Sequence, residues 1–228
     1  MAVLWRLRYK LGLRDVAELL GQRGYDVTHE TIRAWEFRFA PLVSASSRAK
    51  RRGQAGRSWY LDETYVKVGR RWRCLYRAID REGNLLDSIL SAQRRDRAAA
   101  RRFLRRLVEI TMRTPPRVTT DKHRAYGKAV RWILGRKVRH RQSQYLNNRI
   151  KQDHRAIKQR YYPMLGFGQM ESATRFCSAF EELRQYLWIP SPRGQHVSSA
   201  NQRQLFSSRW QVLIAELPAA WSRHSNPP

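Results

Sequence analysis

The sequence predicts an α/β fold, a mixed sheet with flanking helices preceded by a small helical unit. Residues 59–90 hold three β-rich runs separated by short turns. From there to residue 158 helical and strand patterns alternate, giving the order β-β-β-α-β-α-β-α, which mixes hairpins with parallel crossovers. Ahead of the sheet, residues 13–36 carry two short helical patterns around a glycine-broken turn.

In that leading stretch Val16, Ala17, Leu19 and Leu20 form one apolar face, Gly21 and Gly24 break it, and Thr28 is placed to cap a second helix. The second helix turns Ile32 and Trp35 inward and His29, Arg33 and Glu36 outward. An ordinary helical hairpin has this pattern, and so does a helix-turn-helix whose second helix enters a major groove. The charge of the chain favours the latter, with His29 and Arg33 as DNA-contacting residues. Residues 1–43 are read as this unit, and 44–58, small, polar and basic, as a linker touching phosphates.

The strands are expected at 59–68, 72–80 and 85–90, with hairpin turns at 69–71 and 81–84. A helix over 96–112 buries Ala100, Phe103, Leu104, Leu107 and Val108 and turns a row of arginines outward. Pro115 and Pro116 end it. A short strand over 117–120 delivers Asp121, a helix over 123–134 buries Tyr126, Ala129, Val130 and Ile133, and a last strand covers 138–141. The helix over 145–158 aligns Leu146, Ile150 and Ile157 as an apolar stripe beside a polar arc of Asn147, Lys151, His154 and Lys158. One more helix, 172–187, buries Phe176, Ala179, Phe180, Leu183 and Leu187, so the core domain spans 59–189. Residues 190–228 turn polar and rich in proline and serine, and are expected to be a flexible tail with at most one weak helix over 205–221.

The 228 residues carry 46 Lys and Arg against 18 Asp and Glu, a net charge of +28 that calls for a polyanionic partner, nucleic acid first. No apolar run reaches the roughly 18 residues of a membrane span, so no membrane partner is expected and the chain reads as soluble and intracellular. Two cysteines far apart give neither a zinc pattern nor a disulfide framework.

Asp62 falls within the first strand and Asp121 ends the fourth, and in a mixed sheet of this order those strands can be neighbours. Close carboxylates repel unless a cation lies between them, and Mg²⁺, which prefers oxygen ligands, is the expected one. The alternative for each is an aspartate that caps a turn. Glu63 is expected on the opposite face of the strand from Asp62.

The runs Trp59-Tyr60-Leu61-Asp62-Glu63-Thr64-Tyr65-Val66-Lys67-Val68, Tyr76-Arg77-Ala78-Ile79-Asp80, Thr120-Asp121-Lys122, His140-Arg141-Gln142, Tyr145-Leu146-Asn147-Asn148-Arg149-Ile150, Gln152-Asp153-His154-Arg155 and Met164-Leu165-Gly166-Phe167 resemble bacterial insertion-sequence transposases of the DDE type. Together they are similar to the insertion-sequence-six family, over roughly residues 13–187. The resemblance implies a helix-turn-helix followed by a ribonuclease-H-like, retroviral-integrase-like core. It implies Mg²⁺-dependent joining of element ends to target DNA, with Mn²⁺ the alternative ion. Asp62 and Asp121 are then metal ligands, and Arg149, Arg155 and Lys158 contact phosphates while His154 orients a water or phosphate. Double-stranded DNA is the implied partner, both terminal repeats and target, held by a homodimer or larger assembly in the nucleoid of a bacterial or archaeal cytoplasm.

One position departs from the family. Two residues before the Asp153-His154 pair the family carries the third catalytic acid, a glutamate, and this sequence has Lys151. An ammonium is a donor with no lone pair to offer a metal. Asp153 lies about 160° around the helix from Lys151 and does not replace it. Two readings follow: a transposase with impaired catalysis, or a non-catalytic DNA-binding remnant of one. An RNA-binding protein would account for the charge but not for the placement of the aspartates.

Overall fold

The computed structural model describes residues 1–50, 56–92, 97–121, 124–143, 148–162, 164, 166–188 and 198–225, without the side chains at 124, 148, 149, 151–153 and 219–225. In chain order the elements are α1 (Ala2–Arg8), α2 (Leu13–Gly21), α3 (His29–Ala49), β1 (Ser58–Val68), β2 (Arg71–Asp80), β3 (Leu85–Ser91), α4 (Arg97–Thr111), β4 (Arg117–Thr120), α5 (Arg124–Ile133), β5 (Arg139–Gln142), α6 (Asn148–Tyr161), α7 (Met170–Leu187) and α8 (Ser199–Ser225). They form two compact units, one of residues 1–51 with 179–228 and one of residues 52–178.

The second unit is built on a five-stranded sheet of order β3-β2-β1-β4-β5. β1 runs antiparallel to β2, and β2 to β3, while β4 lies parallel to β1 and β5 parallel to β4. Three antiparallel strands continued by two parallel ones, with helices in the crossovers, make the mixed sheet the sequence predicts and the ribonuclease-H-like arrangement its family resemblance implies. The β1–β2 turn is closed by Gly69 and Arg70 at φ +53° and +63°, the paired positive φ values of a type I′ hairpin. At the next turn the buried Asp80 carboxylate accepts from the amides of Glu82 (3.0 Å) and Asn84 (2.8 Å) and from Asn84 Nδ2 (2.9 Å). Asp80 is therefore the turn-capping aspartate that Asp62 and Asp121 could have been.

The odd residues of β1, Trp59 and Leu61, pack with Tyr76 and Ala78 of β2, Phe103, Leu104 and Leu107 of α4, and Tyr126, Ala129 and Val130 of α5. Burying faces of this kind removes large apolar side chains from water, at roughly 1.5–3 kcal/mol each. Arg106, on the outward row of α4, reaches back to the fully buried Asp87 at 2.7 Å. Ile150 and Ile157 of α6 are fully buried, as the stripe predicts; Leu146 and Asn147 lie outside the described residues.

β4 pairs with β1 only over Ser58–Tyr60. Beyond Tyr60 that edge of β1 has no strand beside it among the described residues until Phe167 bridges to Val68. The bridge is closed by Phe167 N donating to Lys67 O (3.1 Å) and Gly69 N to Phe167 O (2.8 Å). Gly166 makes it feasible: its φ is +91°, and a Cβ there would lie 3.0 Å from the Lys67 carbonyl oxygen.

In the first unit Ala2, Val16 and Ile32 form the centre of a small core, with Ala17, Leu20, Val27 and Trp35 around it. Thr28 caps α3, its hydroxyl accepting from Thr31 N at 3.3 Å. Three expectations need correction here. Glu36 does not point outward: α1, which the sequence reading did not anticipate, covers that side, and Arg6 Nε binds the Glu36 carboxylate at 2.6 Å while both side chains are largely buried. Residues 44–49, read as linker, continue α3, because Ser47 is buried and Arg48 binds the buried Glu182 of α7 at 2.9 Å. The tail is not merely flexible chain, since α8 occupies 27 of its residues. Leu213 is fully buried and Leu217 nearly so, and Glu216 accepts from Ser46 Oγ at 2.8 Å and pairs with Lys50.

Candidate metal and DNA site

Asp62 sits on β1 just past the last residue paired with β4, and Asp121 immediately follows β4. The parallel register therefore carries both to the same end of the sheet. One carboxylate oxygen each from Asp62, Glu63 and Asp121 lies within 4.8 Å of the others. The inclusion of Glu63 overturns the expectation from strand alternation. Past Tyr60 no β4 residue blocks the edge of β1, and a glutamate has the extra methylene to reach round it from the far face.

The end of β4 is held by β5. Thr120 Oγ1 donates to the Asp121 carbonyl oxygen at 2.8 Å and lies 2.9 Å from His140 Nε2, an arrangement that puts the imidazole proton on Nε2. Burial lowers the His140 pKa, keeping the ring neutral. Arg141 donates from Nη2 (3.1 Å) and Nε (3.3 Å) to Thr119 Oγ1. His140 and Arg141, which in the sequence only extend the resemblance, thus position the backbone that presents Asp121. Nothing in strand periodicity announces that role; it needs the β4–β5 register.

α6 packs on β1 from the face that Asp62 occupies. His154 is buried there, its Nδ1 3.8 Å from Asp62 Oδ2. Lys151 lies in α6 one turn before His154, and its side chain is outside the described set, as is that of Arg149. Arg155 is exposed on α6 and Lys158 half-buried. His29 and Arg33 belong to the other unit. There Arg33 is well exposed and bound to Glu30 at 2.7 Å, and His29 Nε2 lies 3.2 Å from the same carboxylate. Both cysteines are buried and unlinked.

The donor set at the sheet end is all oxygen and all anionic. Three carboxylates so close destabilise one another unless a positive charge joins them, and hard divalent cations with several open positions for water and phosphate oxygens suit such a set. The residues present fit Mg²⁺ or Mn²⁺ and would not suit a soft metal. No helix among the described residues is long and apolar enough to cross a membrane.

Residues 56–188 match the DDE domain of IS240-type transposases. The chain is 40% identical over 164 residues to the Staphylococcus aureus transposase for insertion sequence-like element IS431mec, and equally to that for insertion sequence element IS257 in transposon Tn4003; the alignments span 70% of this chain and 72% of each relative. By structure it is similar to the HTLV-2 integrase catalytic core domain in complex with magnesium (TM-score 0.42, 16% identity, 70% of this chain and 98% of that one). The chain belongs to the insertion-sequence-six family of DDE transposases.

Proposed function

We propose that this protein binds the ends of its insertion sequence and joins them to target DNA in a divalent-metal-dependent reaction, and that Lys151 holds that reaction well below what the scaffold can support. The observation that carries the reading is the convergence of Asp62, Glu63 and Asp121 at the open end of the sheet. Asp62 and Asp121 are the metal ligands, with Glu63 supplying a further oxygen. Mg²⁺ bound there supplies the charge stabilisation and hydroxyl activation that phosphodiester displacement needs. His154 packs against Asp62 and fixes the direction of its carboxylate. Arg149, Arg155 and Lys158 draw the phosphate backbone to the same helix, and the surplus of 28 positive charges makes the affinity steeply salt-dependent.

Lys151 replaces a carboxylate by an ammonium one helical turn from His154. The change removes one oxygen ligand and adds a charge that opposes a second cation. His29 and Arg33 on α3 read the terminal repeats, and duplex binding would draw Arg33 from Glu30 to a phosphate or base edge. Two ends must be held at once, so a dimer or larger assembly on DNA is the working unit, in the nucleoid. The second reading, a DNA-binding protein without catalysis, is favoured by Lys151 alone.

Strand transfer separates the two. The protein, Lys151→Glu, and Lys151→Glu with Asp121→Asn are compared on a DNA end carrying the element's own repeat, with Mg²⁺ or Mn²⁺. The proposal expects low activity, a large gain, and its loss, in that order. Activity that is indifferent to Asp121→Asn contradicts the site, and inactivity of all three with DNA binding intact favours the non-catalytic reading.

A further inference from the structure

Next to the carboxylates, sharing Glu63 with them, lies an open cavity of about 470 Å³. It is lined by Glu63, Thr64 and Tyr65 of β1, Trp72 of β2, and Lys158, Tyr161 and Tyr162 at the end of α6. Tyr65, Trp72 and Tyr162 are 47%, 58% and 57% exposed. Single exposed aromatics are common on protein surfaces, but three around one cavity mark a binding surface. Beneath them Tyr161 is 2% exposed, its ring 4.6 Å from that of Tyr162 and tilted by 39°. The buried Tyr161 hydroxyl makes no hydrogen bond of good geometry with any described residue. Burial first, and then the neighbouring Tyr162 hydroxyl, pushes its pKa up to about 12, so it remains a neutral donor facing this cavity.

Each feature limits the occupant. Open aromatic faces call for a flat π-system, and a buried hydroxyl in the cavity lining favours polar atoms on that system's edge. Lys158 calls for an anion beside it. Glu63, shared with the carboxylate cluster, fixes where that anion's chain leads. A base inside a duplex has both faces covered by its neighbours, so only an unpaired one can enter.

We infer that this cavity takes an unpaired nucleobase of the DNA strand that passes the carboxylates, stacked among Trp72, Tyr162 and Tyr65, with Lys158 on its phosphate. The inference rests on the reading that the carboxylates act on DNA, and it adds a subsite for a frayed or single-stranded position at the reacting end. A pre-formed stacking site offsets part of the cost of unpairing that base, and so selects where along an end the strand enters the site.

The test uses the full chain, without divalent metal, and two probes: a blunt DNA duplex, and the same duplex with a three-nucleotide 3′ tail carrying 2-aminopurine. The chain is expected to bind the tailed duplex at least about fivefold more tightly than the blunt one and to quench the 2-aminopurine, the yield of stacking one base. Trp72→Ala with Tyr162→Ala should abolish both the preference and the quench while blunt-duplex affinity holds. Trp72→Phe should keep most of each. Because Trp72 and Tyr162 are exposed, the blunt-duplex affinity also reports that the variants are folded. Intact duplex binding with no tail preference, or a preference that survives the double variant, overturns the subsite and leaves the DNA-binding reading standing. Failure of the unaltered chain to bind either duplex removes that reading, and the subsite with it.

Discussion

The two halves of β1 share one strand and do opposite work. At Trp59 and Tyr60 the strand is paired on both edges, with β2 and with β4, and the side chains of Trp59 and Leu61 are sealed in the core. From Asp62 onward β4 is gone, and this half of the strand carries a carboxylate cluster, part of the aromatic cavity and finally the Phe167 bridge. Where both edges are paired, backbone polarity is satisfied and side chains have only packing to do. Where one edge is released, side chains from both faces converge on the same opening, as Asp62 and Glu63 do. The early end of β4 therefore makes the site as much as the acids themselves.

The contrast can be broken at either half. Trp59→Ala should give the largest stability change, a loss of about 3–5 kcal/mol by urea unfolding. A loss under about 1 kcal/mol would mean that the paired half is not the mechanical base. Asp62→Asn should cost less stability than Trp59→Ala yet lower strand transfer in the Lys151→Glu background at least about a hundredfold, the worth of several kcal/mol of lost charge stabilisation. Equal effects on stability and activity would erase the distinction between the halves. Gly166→Val should cost about 1–3 kcal/mol through strain at φ +91°. Its signature is faster hydrogen exchange at the Phe167 and Gly69 amides than at amides of the β1–β2 ladder.

The smallest effect concerns His140, which pins the end of β4. Its folded pKa lies below the ordinary imidazole value because burial disfavours the charged ring. The unfolded chain then binds the extra proton first as pH falls, so stability drops from about pH 6.5 downward until the folded form also protonates. His140→Gln should flatten the stability profile in that window, and an unchanged slope would show that the ring is not held neutral.

Much of this was legible in the sequence for physical reasons. β-rich composition with turn signals at residues 69–71 and 81–84 marked β1 to β3, and apolar spacing marked α4, α5 and α6 to within a few residues at each end. Asp62 and Asp121 were brought together by topology alone. What stayed hidden depended on partners distant in sequence. The N-terminal helix α1 is masked by Arg6 and Arg8, and Arg6 reads as solvated until Glu36 is placed beside it. The polar tail folds because α8, with Leu213 and Leu217 buried, packs with α3, whose serine-rich end looked like linker. Glu63 was excluded from the site because strand alternation gives the face a side chain leaves from, not how far it can reach round an unpaired edge. The three aromatics around the cavity are scattered in sequence and gather only through the hairpin register and the end of α6.

At the centre of this mechanism stands a carboxylate metal site that Lys151 weakens. Mn²⁺ binding by electron paramagnetic resonance, in the protein, in Lys151→Glu and in Asp62→Asn, tests this without DNA or turnover. Weak binding by the protein, binding at least about tenfold tighter in Lys151→Glu, and none in Asp62→Asn are the predicted results, the gain being that of one added anionic oxygen ligand. Binding that is equal in all three would contradict the account, because it would place the metal elsewhere.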